Sequence, residues 1–346
     1  MADGVSQPPP AFEVAVEDWD PLLKRIGLDD VYLRAPYLRL AATIDTGQPV
    51  LLHLEGERGH VVCALLLRDI PNSPLRDAIT PYGYGGPVAT GVQPPVGAFH
   101  AAWAAWCQER EVVTTFIRFH PLYANHKLEQ PAGMRLHALA GTVAWRLDAG
   151  DLLGRMNSTH RNTVRRAERE GVRVSVDEGP GTLNMFIPMY VATMRRVGAL
   201  ASYRFSVRHW ELMRSELGKE LVFANAWRDG ELVASALCFR ADPWMHYHLS
   251  ASTESGRALG ATTATLYALA CWAQAATLTT LHLGGGVGGQ GDSLLAFKRR
   301  FDPEAGVLEA YVGSLVHDTA RYNELVRDRE IGDYFPAYRG VKRDCY

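Results

Sequence analysis

The sequence predicts a mixed α/β protein with two domains. Short stretches rich in valine, leucine and isoleucine alternate along the chain with longer stretches of helical periodicity. The chain of 346 residues is too long for one small core, so we expect two domains of roughly 150 to 190 residues. Hydrophobic residues make up 47% and charged residues 21%, which is typical of an ordinary globular protein. We place the domain boundary near residue 150, between domains of residues 1–150 and 151–346.

The first half is predicted to contain four strands and one helix. Gly56 and Gly59 mark a turn between the first two strands. The predicted elements are strands at 49–55, 60–70, 112–119 and 142–148 and a helix at 97–110. The loop TPYGYGGP at 80–87 contains Tyr82 and Tyr84, and two interpretations of it stay open, a packed turn and a ligand contact.

The second half begins with a helix that Ser158 or Asn157 can cap and that Gly171 can end. Pro188 should kink the following helix or make it start late. The predicted elements are helix 158–170, strand 172–176, helices 182–198 and 206–218, strands 221–228, 231–240 and 244–252, helix 258–276, strand 278–284, helix 292–301, strand 307–316 and helix 317–328. This is the element order of an acyltransferase domain of the GNAT type, and we expect the first half to be a shorter, degenerate version of it.

Several classes of protein are excluded by the composition. The five cysteines are widely spaced and form no CxxC motif, so neither a disulfide framework nor a zinc site is expected. No carboxylate and histidine cluster with ligand spacing predicts another metal. The N-terminus lacks the features of a signal peptide, and residues 258–276 are too rich in alanine, threonine and glutamine for a membrane span. We expect a cytoplasmic protein without a metal, a bound cofactor or a membrane span.

The net charge of −2 is unevenly distributed. Residues 1–150 carry 12 lysines and arginines against 16 acidic residues, whereas residues 155–240 carry 14 against 9. This excess of five positive charges in the second half permits an anionic partner. Solvated arginines on helix surfaces are the simpler interpretation.

The stretch LHLGGGVGGQGDSLLAFKRRF at 281–301 combines a glycine loop with a cationic, aromatic segment. It lacks the lysine of a P-loop and the long helix and later acidic residue of a dinucleotide fingerprint. Glycines permit close approach of a ligand to the backbone, and the following basic residues offer fixed charge for a phosphate or an oxyanion. The residues concerned are Gly284, Gly285, Gly286, Phe297, Lys298 and Arg299.

Four segments together resemble the FemABX-like family, also described as the double-GNAT or BioF2-like acetyltransferase group. They are TPYGYGGP at 80–87, THRNTVRRAEREGVRV at 159–174, HYHLSAS at 246–252 and the glycine stretch at 281–301. The resemblance covers about residues 30 to 315. It implies two GNAT-like domains facing each other across a groove, with the acceptor bound by the first and the donor by the second.

The resemblance also implies an activity. Such enzymes transfer an aminoacyl group from aminoacyl-tRNA to an amine of a peptide, a peptidoglycan precursor or an antibiotic intermediate, and the Phe297–Lys298 pair matches their functional pair. The larger bridge-forming members carry a long helical hairpin in the second domain. This sequence contains no such segment, which leaves room for a smaller acceptor.

Aminoacyl transfer requires an amine with a free lone pair and stabilisation of the ester carbonyl oxygen as it becomes negative. No cysteine triad and no Gly-x-Ser-x-Gly elbow supports a covalent intermediate. We expect Lys298 to stabilise this oxyanion or the terminal phosphate of tRNA, and Phe297 to stack on the terminal adenine. A surface lysine and a core phenylalanine are the simpler alternatives.

His248 and His246 lie two positions apart on the last strand of the meander, with Tyr247 on the other face. A histidine with an ordinary pKa near 6.5 can accept the proton of the attacking amine, so His248 is a candidate catalytic residue. A satisfied polar pair is the alternative. The predicted acceptor- or phosphate-binding residues are His160, Arg161, Tyr82, Tyr84, Tyr203, Arg204 and Tyr247.

Two other functions stay open. The segment RALGAT at 257–262 resembles the pyrophosphate-binding motif of CoA-dependent enzymes except at Thr262, so an acyl-CoA-dependent N-acyltransferase is the main alternative. The third is an RNA-binding module that uses the basic segment. The absence of RRM, KH and zinc-knuckle motifs disfavours it.

Overall fold

The computed structural model describes residues 12–148, 150–199, 203–286, 292–327 and 334–340. These residues form two compact units with one sheet each, which confirms the predicted mixed α/β class. Unit 1 comprises the described residues up to His137 together with those from Tyr311 onward. Unit 2 lies within Ala138–Ala310.

The chain begins with two helices, a long hairpin and a βαβ arrangement. In order, the elements are α1 Val16–Arg25, α2 Ala35–Asp45, β1 Gln48–Gly56, β2 Arg58–Asp69, β3 Arg76–Ile79, β4 Val88–Gln93, α3 Val96–Glu109, β5 Val112–Arg118 and β6 Arg135–Ala138.

The remaining elements follow the order predicted for a GNAT domain. They are β7 Val143–Arg146, α4 Leu152–Arg155, α5 Ser158–Arg169, β8 Arg173–Glu178, α6 Leu183–Arg196, α7 Val207–Glu216, β9 Leu221–Arg228, β10 Glu231–Ala241, β11 Trp244–Ser252, α8 Glu254–Ala258, α9 Ala261–Ala275, β12 Thr280–Gly284, α10 Ser293–Arg299, β13 Tyr311–Val316 and α11 Thr319–Val326.

The sheet of unit 1 has the order β1-β2-β3-β5-β13-β6, and β4 also pairs with β2. Strands β3 and β5 are parallel, and β5 pairs with β13 in antiparallel fashion. Helix α3 covers one face because its Phe99 and Trp103 are buried against β1 and β2 at residues such as Val61 and Leu65. Burial of this large apolar surface stabilises the unit.

The sheet of unit 2 has the order β7-β12-β11-β10-β9-β8, with β11 and β12 as its parallel pair. Helix α9 packs on it with the buried Leu266 and Leu269, which share a core cluster with Trp145 and Met245. Asn157 caps α5 by accepting a hydrogen bond from the backbone N–H of Thr159, and Gly171 follows the helix with a φ of 84°. Both local signals were predicted from the sequence.

The units differ from the expected domains of 1–150 and 151–346. Strand β7, which we expected in the first domain, pairs with β12 in unit 2. Strand β13, expected in the second domain, pairs with β5 in unit 1, where Val312 lies opposite Arg118. Periodicity identifies a strand but carries no information on its distant partner, so the boundary required the structure.

Helix α6 runs from Leu183 through Pro188 to Arg196, so it does not start late. Of the described helices, none has the length and apolar character needed to cross a membrane.

Candidate functional site

The parallel strands of unit 2 pair over a short distance only. Their register joins Trp244 to Thr280 and His246 to His282, where the ladder stops. Strand β11 nevertheless continues to Ser252 and β12 to Gly284. Within the described part of the chain, no strand pairs with Tyr247–Ser252 on the side of β12. At the end of this stretch the backbone N–H and C=O of Ser252 already bond to side chains of α6, Thr193 and Arg196. The stretch before Ser252 lacks a described strand partner on this side, and an extended substrate can pair with it there.

A β-bulge accompanies the opening. The register between β10 and β11 shifts between Leu237 and Cys238, so that His248 has no partner position on β10. A bulge bends and twists the strand that contains it. The bulge therefore contributes to the divergence of β11 from β12.

The three glycines at the end of β12 lead toward α10. Gly284 has a φ of 73°, which favours glycine. Gly286 lies so close to Asp292 that a Cβ atom on Gly286 would come within 1.9 Å of a carboxylate oxygen. That carboxylate caps α10 by accepting hydrogen bonds from the backbone N–H groups of Leu294 and Leu295, each at 3.0 Å. Residues 287–291 of the predicted glycine loop lie outside the described residues.

Lys298 is buried, with 6% of its surface exposed. Its Nζ donates a hydrogen bond to the carbonyl oxygen of Gly285 and lies 5.5 Å from the centre of the Tyr247 ring on β11. The surface-lysine alternative is therefore wrong, and the ammonium lies beside both the glycine turn and the strand that diverges.

The surroundings of Lys298 shift its pKa. Burial lowers the pKa of Lys298 to about 8, and the nearby Asp292 partly opposes this shift. The ammonium remains the predominant form at neutral pH. Among the described residues, Gly285 is the hydrogen-bond acceptor of Nζ, so two of its three N–H bonds can serve a ligand.

His160 holds the backbone of α10 in place. Its Nε2–H donates to the carbonyl oxygen of Phe297 at 3.0 Å, and its ring contacts the rings of Phe297 and Phe301. Burial lowers the pKa of His160 to about 4, so it is neutral at pH 7. Our expectation that His160 binds the acceptor or a phosphate is corrected, because its imidazole is buried and bonded to α10.

Phe297 is half-buried and packs on the core of unit 2. Its ring contacts His160 and Phe301, which satisfies the simpler interpretation of a packed phenylalanine. The adjacent Arg299 is exposed. The structure therefore separates the predicted trio, with Lys298 buried, Phe297 packed and Arg299 in solvent.

His248 is half-buried, and its ring lies 4.5 Å from that of Phe239. Burial, and then the neighbouring His209 and His246, lower the pKa of His248 to about 3. We expected a histidine with an ordinary pKa near 6.5, and this expectation is corrected because the imidazole is a very weak base here.

Tyr247 lies on the opposite side of β11 and packs against the core of unit 2. Its hydroxyl donates to Ser250, and burial raises its pKa to about 12. The contact of its ring with Lys298 places Tyr247 at the opening, so it stays a candidate binding residue.

A buried polar chain that the sequence analysis missed lies where the ladder of β11 and β12 stops. The Nδ1 atoms of His246 and His282 are 3.2 Å apart, and Nε2 of His282 lies 3.0 Å from the hydroxyl of Thr142. From the sequence, His246 was considered only as the neighbour of His248, and the signal for His282 was a histidine between two leucines in LHLG.

Arg161 donates from Nη1 to the carbonyl oxygens of Gly154 and Met156, so it braces the turn before α5 instead of presenting its charge to a phosphate. Arg204 is exposed. Tyr203 is half-buried, and its carbonyl oxygen accepts a hydrogen bond from Tyr190 at 3.1 Å.

Tyr82 and Tyr84 belong to unit 1. The Tyr84 ring packs edge-on against Tyr32 at 5.5 Å and contacts His120, which supports the packed-turn interpretation of this loop. Tyr82 is 39% exposed, and its carbonyl oxygen accepts a hydrogen bond from Tyr37. Tyr82 therefore has the exposure that a ligand contact needs.

The hairpin of unit 1 brings together a set of side chains that linear spacing did not reveal. Potential ligand atoms of His53, Glu55 and His60 lie within 4.8 Å of one another because Glu55 is opposite His60 in the register. Nε2 of His53 and Nδ1 of His60 are 3.2 Å apart, a hydrogen-bond distance. These imidazoles thus satisfy each other, and we assign them no metal.

The start of α9 is where a CoA pyrophosphate would be expected from the RALGAT motif. Gly260 precedes α9 with a φ of 72°, and a Cβ there would come within 2.2 Å of the Thr163 methyl of α5. Arg166 of α5 also donates to the carbonyl oxygen of Ala258 at 3.1 Å. Helix α5 therefore lies against this turn, where a pyrophosphate would have to bind.

Comparison with known proteins supports this architecture. Residues 154–299 match a family model described as an acetyltransferase (GNAT) domain. No curated protein matches the sequence significantly.

Solved structures resemble nearly the whole chain. A crystal structure of FemX has a TM-score of 0.66 at 14% identity and covers 90% of this chain and 98% of its own. The C-terminal domain of a putative lysylphosphatidylglycerol synthetase from Agrobacterium fabrum has a TM-score of 0.58 at 15% identity, covering 90% and 94%. L-PGS from Bacillus licheniformis has a TM-score of 0.54 at 13% identity, covering 88% and 92%.

At these identities the likeness concerns the fold. The chain has the fold of FemX, and the GNAT match lies within unit 2, in agreement with the fold expected from the FemABX-like motifs. Together with the acetyltransferase domain match, the fold supports an acyltransferase as the class of protein.

Proposed function

We propose that the protein is an aminoacyltransferase that moves an aminoacyl group from aminoacyl-tRNA to an amine of a peptide, a peptidoglycan precursor or an antibiotic intermediate. The observation that carries the proposal is the buried ammonium of Lys298 beside the opening between β11 and β12. The name of one neighbour, a putative lysylphosphatidylglycerol synthetase, points the same way, since a lysyl group is an aminoacyl group.

The chemistry needs no covalent enzyme intermediate. The acceptor amine attacks the ester carbonyl of the donor, a C–N bond forms, and the C–O bond to the tRNA ribose breaks. One proton leaves the amine, and one proton ends on the released ribose hydroxyl. The carbonyl oxygen carries negative charge between these steps, and a buried ammonium stabilises it more strongly than one in water.

Lys298 has the position and the donors for this role. Gly285 accepts one of its N–H bonds, which fixes the ammonium before the substrate binds. Preorganised donors stabilise a transition state without a reorganisation cost. His160 assists indirectly, because its hydrogen bond to Phe297 O holds the turn of α10 that contains Lys298.

The identity of the donor is argued from α5. This helix lies against Gly260 at the start of α9, which disfavours a CoA pyrophosphate there. The same helix exposes Arg165 and Arg169 to solvent. Exposed arginines on one helix are suited to the phosphate backbone of a nucleic acid. Both observations favour aminoacyl-tRNA over acyl-CoA.

The proposal is tested by donor use. Purified protein is incubated with labelled aminoacyl-tRNAs or labelled acetyl-CoA and a cell extract as the source of acceptor. We expect RNase-sensitive incorporation from an aminoacyl-tRNA. Incorporation from acetyl-CoA that RNase does not affect would replace the proposal with the acyl-CoA-dependent N-acyltransferase.

A pair of variants tests the role of α5 in the same assay. Replacing Arg165 and Arg169 with glutamine should raise the KM for aminoacyl-tRNA by about tenfold and weaken its dependence on salt. The matched control replaces the exposed Arg58 and Arg135 of unit 1 with glutamine and should keep the wild-type KM. Equal effects of both pairs would remove α5 from the proposed donor site.

A further inference from the structure

Unit 1 contains a cavity of about 400 Å³ that the proposed transfer chemistry does not use. Its walls include Asp45, Arg68, Phe116, Arg118, Tyr334 and Phe335. A cavity of this size, with aromatic walls and a few charged groups, is typical of a binding site for a small molecule.

Arg118 provides a fixed positive charge in the cavity. Its Nη1 donates to the carbonyl oxygen of Thr80 at 3.0 Å, and its guanidinium carbon lies 5.0 Å from the centre of the Phe116 ring. Among the described residues, no carboxylate forms an ion pair with it. The guanidinium therefore retains N–H donors for a carboxylate ligand.

Arg68 is not equivalent, although it also lines the cavity. Its Nε donates to Asp77 at 2.8 Å, and both side chains are buried. The guanidinium of Arg68 is therefore already paired with Asp77, which also pairs with Arg339. Arg118 is the cation that is available to a ligand.

Asp45, at the end of α2, supplies the opposite charge. It is half-buried and accepts a backbone hydrogen bond from Tyr82. Burial raises the pKa of Asp45, and the nearby Arg118 and Arg68 act against this shift. An ammonium group of a ligand would stabilise the carboxylate in the same way.

Two aromatic rings form an apolar part of the cavity beside these charges. The ring centres of Phe116 and Phe335 lie 6.4 Å apart. Tyr334 lines the cavity but is 61% exposed, which places it at the rim. An apolar side chain of a ligand can pack on these rings.

We propose that this cavity binds a free α-amino acid as its zwitterion. The ligand carboxylate pairs with Arg118, the ammonium pairs with Asp45, and the side chain contacts Phe116 and Phe335. A simple anion is disfavoured by Asp45, and a simple amine is disfavoured by Arg118. The site consists of unit 1 residues alone, so the proposal goes beyond aminoacyl transfer and does not rest on it.

The experiment measures binding to the full chain by calorimetry. The proteinogenic L-amino acids are compared first, and we expect those with large apolar side chains to bind most tightly. L-phenylalanine is then compared with L-phenylalaninamide, which lacks the carboxylate, and with 3-phenylpropionate, which lacks the amine. Each analogue should bind about tenfold or more weakly than L-phenylalanine, because it leaves one buried charge unpaired.

Two variants assign the charges. Arg118→Gln should weaken the binding of L-phenylalanine by about tenfold and leave or improve the affinity for the amide, since the amide makes no carboxylate contact and carries a positive charge. Asp45→Asn should weaken the binding of L-phenylalanine by a similar factor. It should leave the affinity for 3-phenylpropionate unchanged or improve it. The controls Arg58→Gln and Asp18→Asn alter exposed residues outside the cavity and should bind as wild type.

Thermal melting monitors folding of every variant, so that lost binding is separated from lost structure. The proposal is overturned if no amino acid binds the wild-type protein. It is also overturned if 3-phenylpropionate or the amide binds as tightly as L-phenylalanine, or if correctly folded Arg118 and Asp45 variants keep wild-type affinity.

Discussion

The described residues of both units include a parallel strand pair, β3 with β5 in unit 1 and β11 with β12 in unit 2, and the two pairs differ in how they continue beyond their ladders. In unit 1, β3 and β5 pair from Arg76 to Ile79, and the contact continues beyond the strand through hydrogen bonds from Thr80 N to Phe116 O and from Gly85 N to Arg118 O. In unit 2, the ladder of β11 and β12 stops at His246, although β11 continues for six residues.

This difference is the reason for which we propose that the chemistry takes place in unit 2. Where the ladder of unit 1 continues, the hydroxyl of Thr80 accepts a hydrogen bond from the backbone N–H of Arg118 at 2.7 Å, so that part of the backbone is already satisfied. In unit 2 the corresponding stretch of β11 begins with Tyr247, and the centre of its ring lies 5.5 Å from Nζ of Lys298. We call β3 and β5 of unit 1 the closed pair and β11 and β12 of unit 2 the open pair. The buried Lys298 lies beside the open pair.

The largest effect is expected on kcat, from a substitution that removes the charge of Lys298 beside the open pair. Lys298→Met should lower kcat by about 100-fold or more, because it removes the ammonium that stabilises the oxyanion. The fold should be retained, since the ammonium is buried at a cost and methionine fills a similar volume. Initial rates and thermal melting of the variant check both statements.

The control for this variant is Lys219→Met, an exposed lysine that precedes β9. It should keep the wild-type rate. A correctly folded Lys298→Met protein with wild-type kcat would contradict the role given to the open pair.

A smaller effect concerns pH. Lys298 has a pKa of about 8, below its ordinary value, because of burial. The ammonium is therefore lost as the pH rises through 8, whereas an arginine in its place stays charged. Acceptor amines also titrate in this range, so the informative quantity is the ratio of wild-type activity to that of Lys298→Arg.

This ratio should fall by about tenfold between pH 7 and pH 9, as the protonated fraction of a group with a pKa of about 8 does. It is measured from rates with saturating donor. A ratio that is flat with pH, or that rises, would show that the charge of Lys298 is not needed.

The smallest effect tests the closed pair. Thr80→Val removes the acceptor of the Arg118 N–H in a buried position, which should lower the free energy of unfolding by about 1–3 kcal/mol. The transfer rate at low temperature should not change, because Thr80 is fully buried and cannot contact a substrate. Chemical denaturation and initial rates are the measurements.

The half-buried Thr90 of β4 provides the comparison for this change. Thr90→Val should unfold like the wild type. If Thr80→Val is equally stable, the hydroxyl is not what closes the first pair.

The sequence predicted the elements with strong local signals. The hairpin of β1 and β2, helices α3, α5 and α9, and the meander of β9 to β11 were expected close to their observed positions. Helices α1 and α2 were missed, because each contains a proline, Pro21 in α1 and Pro36 at the start of α2, and a proline in a short segment argues against a helix. Short strands such as β3 and β4 carry too few residues for a period to show.

The candidate site was predicted in part. The Phe297–Lys298 pair followed from the motifs, but burial of Lys298 against Gly285 depends on contacts across 13 positions. His248 was misjudged because its low pKa arises from burial and from the neighbouring His209 of α7 and His246, which a period-two pattern does not reveal. The cavity of unit 1 was not foreseen, since Asp45 and Arg118 come from separate elements.

The return of β13 to the first sheet makes unit 1 a discontinuous domain. The polypeptide leaves this unit after His137, builds all of unit 2, and supplies a strand beside β5 only from Tyr311. During synthesis the first sheet therefore cannot be completed before unit 2 has emerged from the ribosome. Until then β5 lacks its neighbour β13. A fragment that ends near residue 310 would contain every strand of the second sheet but only an unfinished first one, with an exposed edge prone to aggregation.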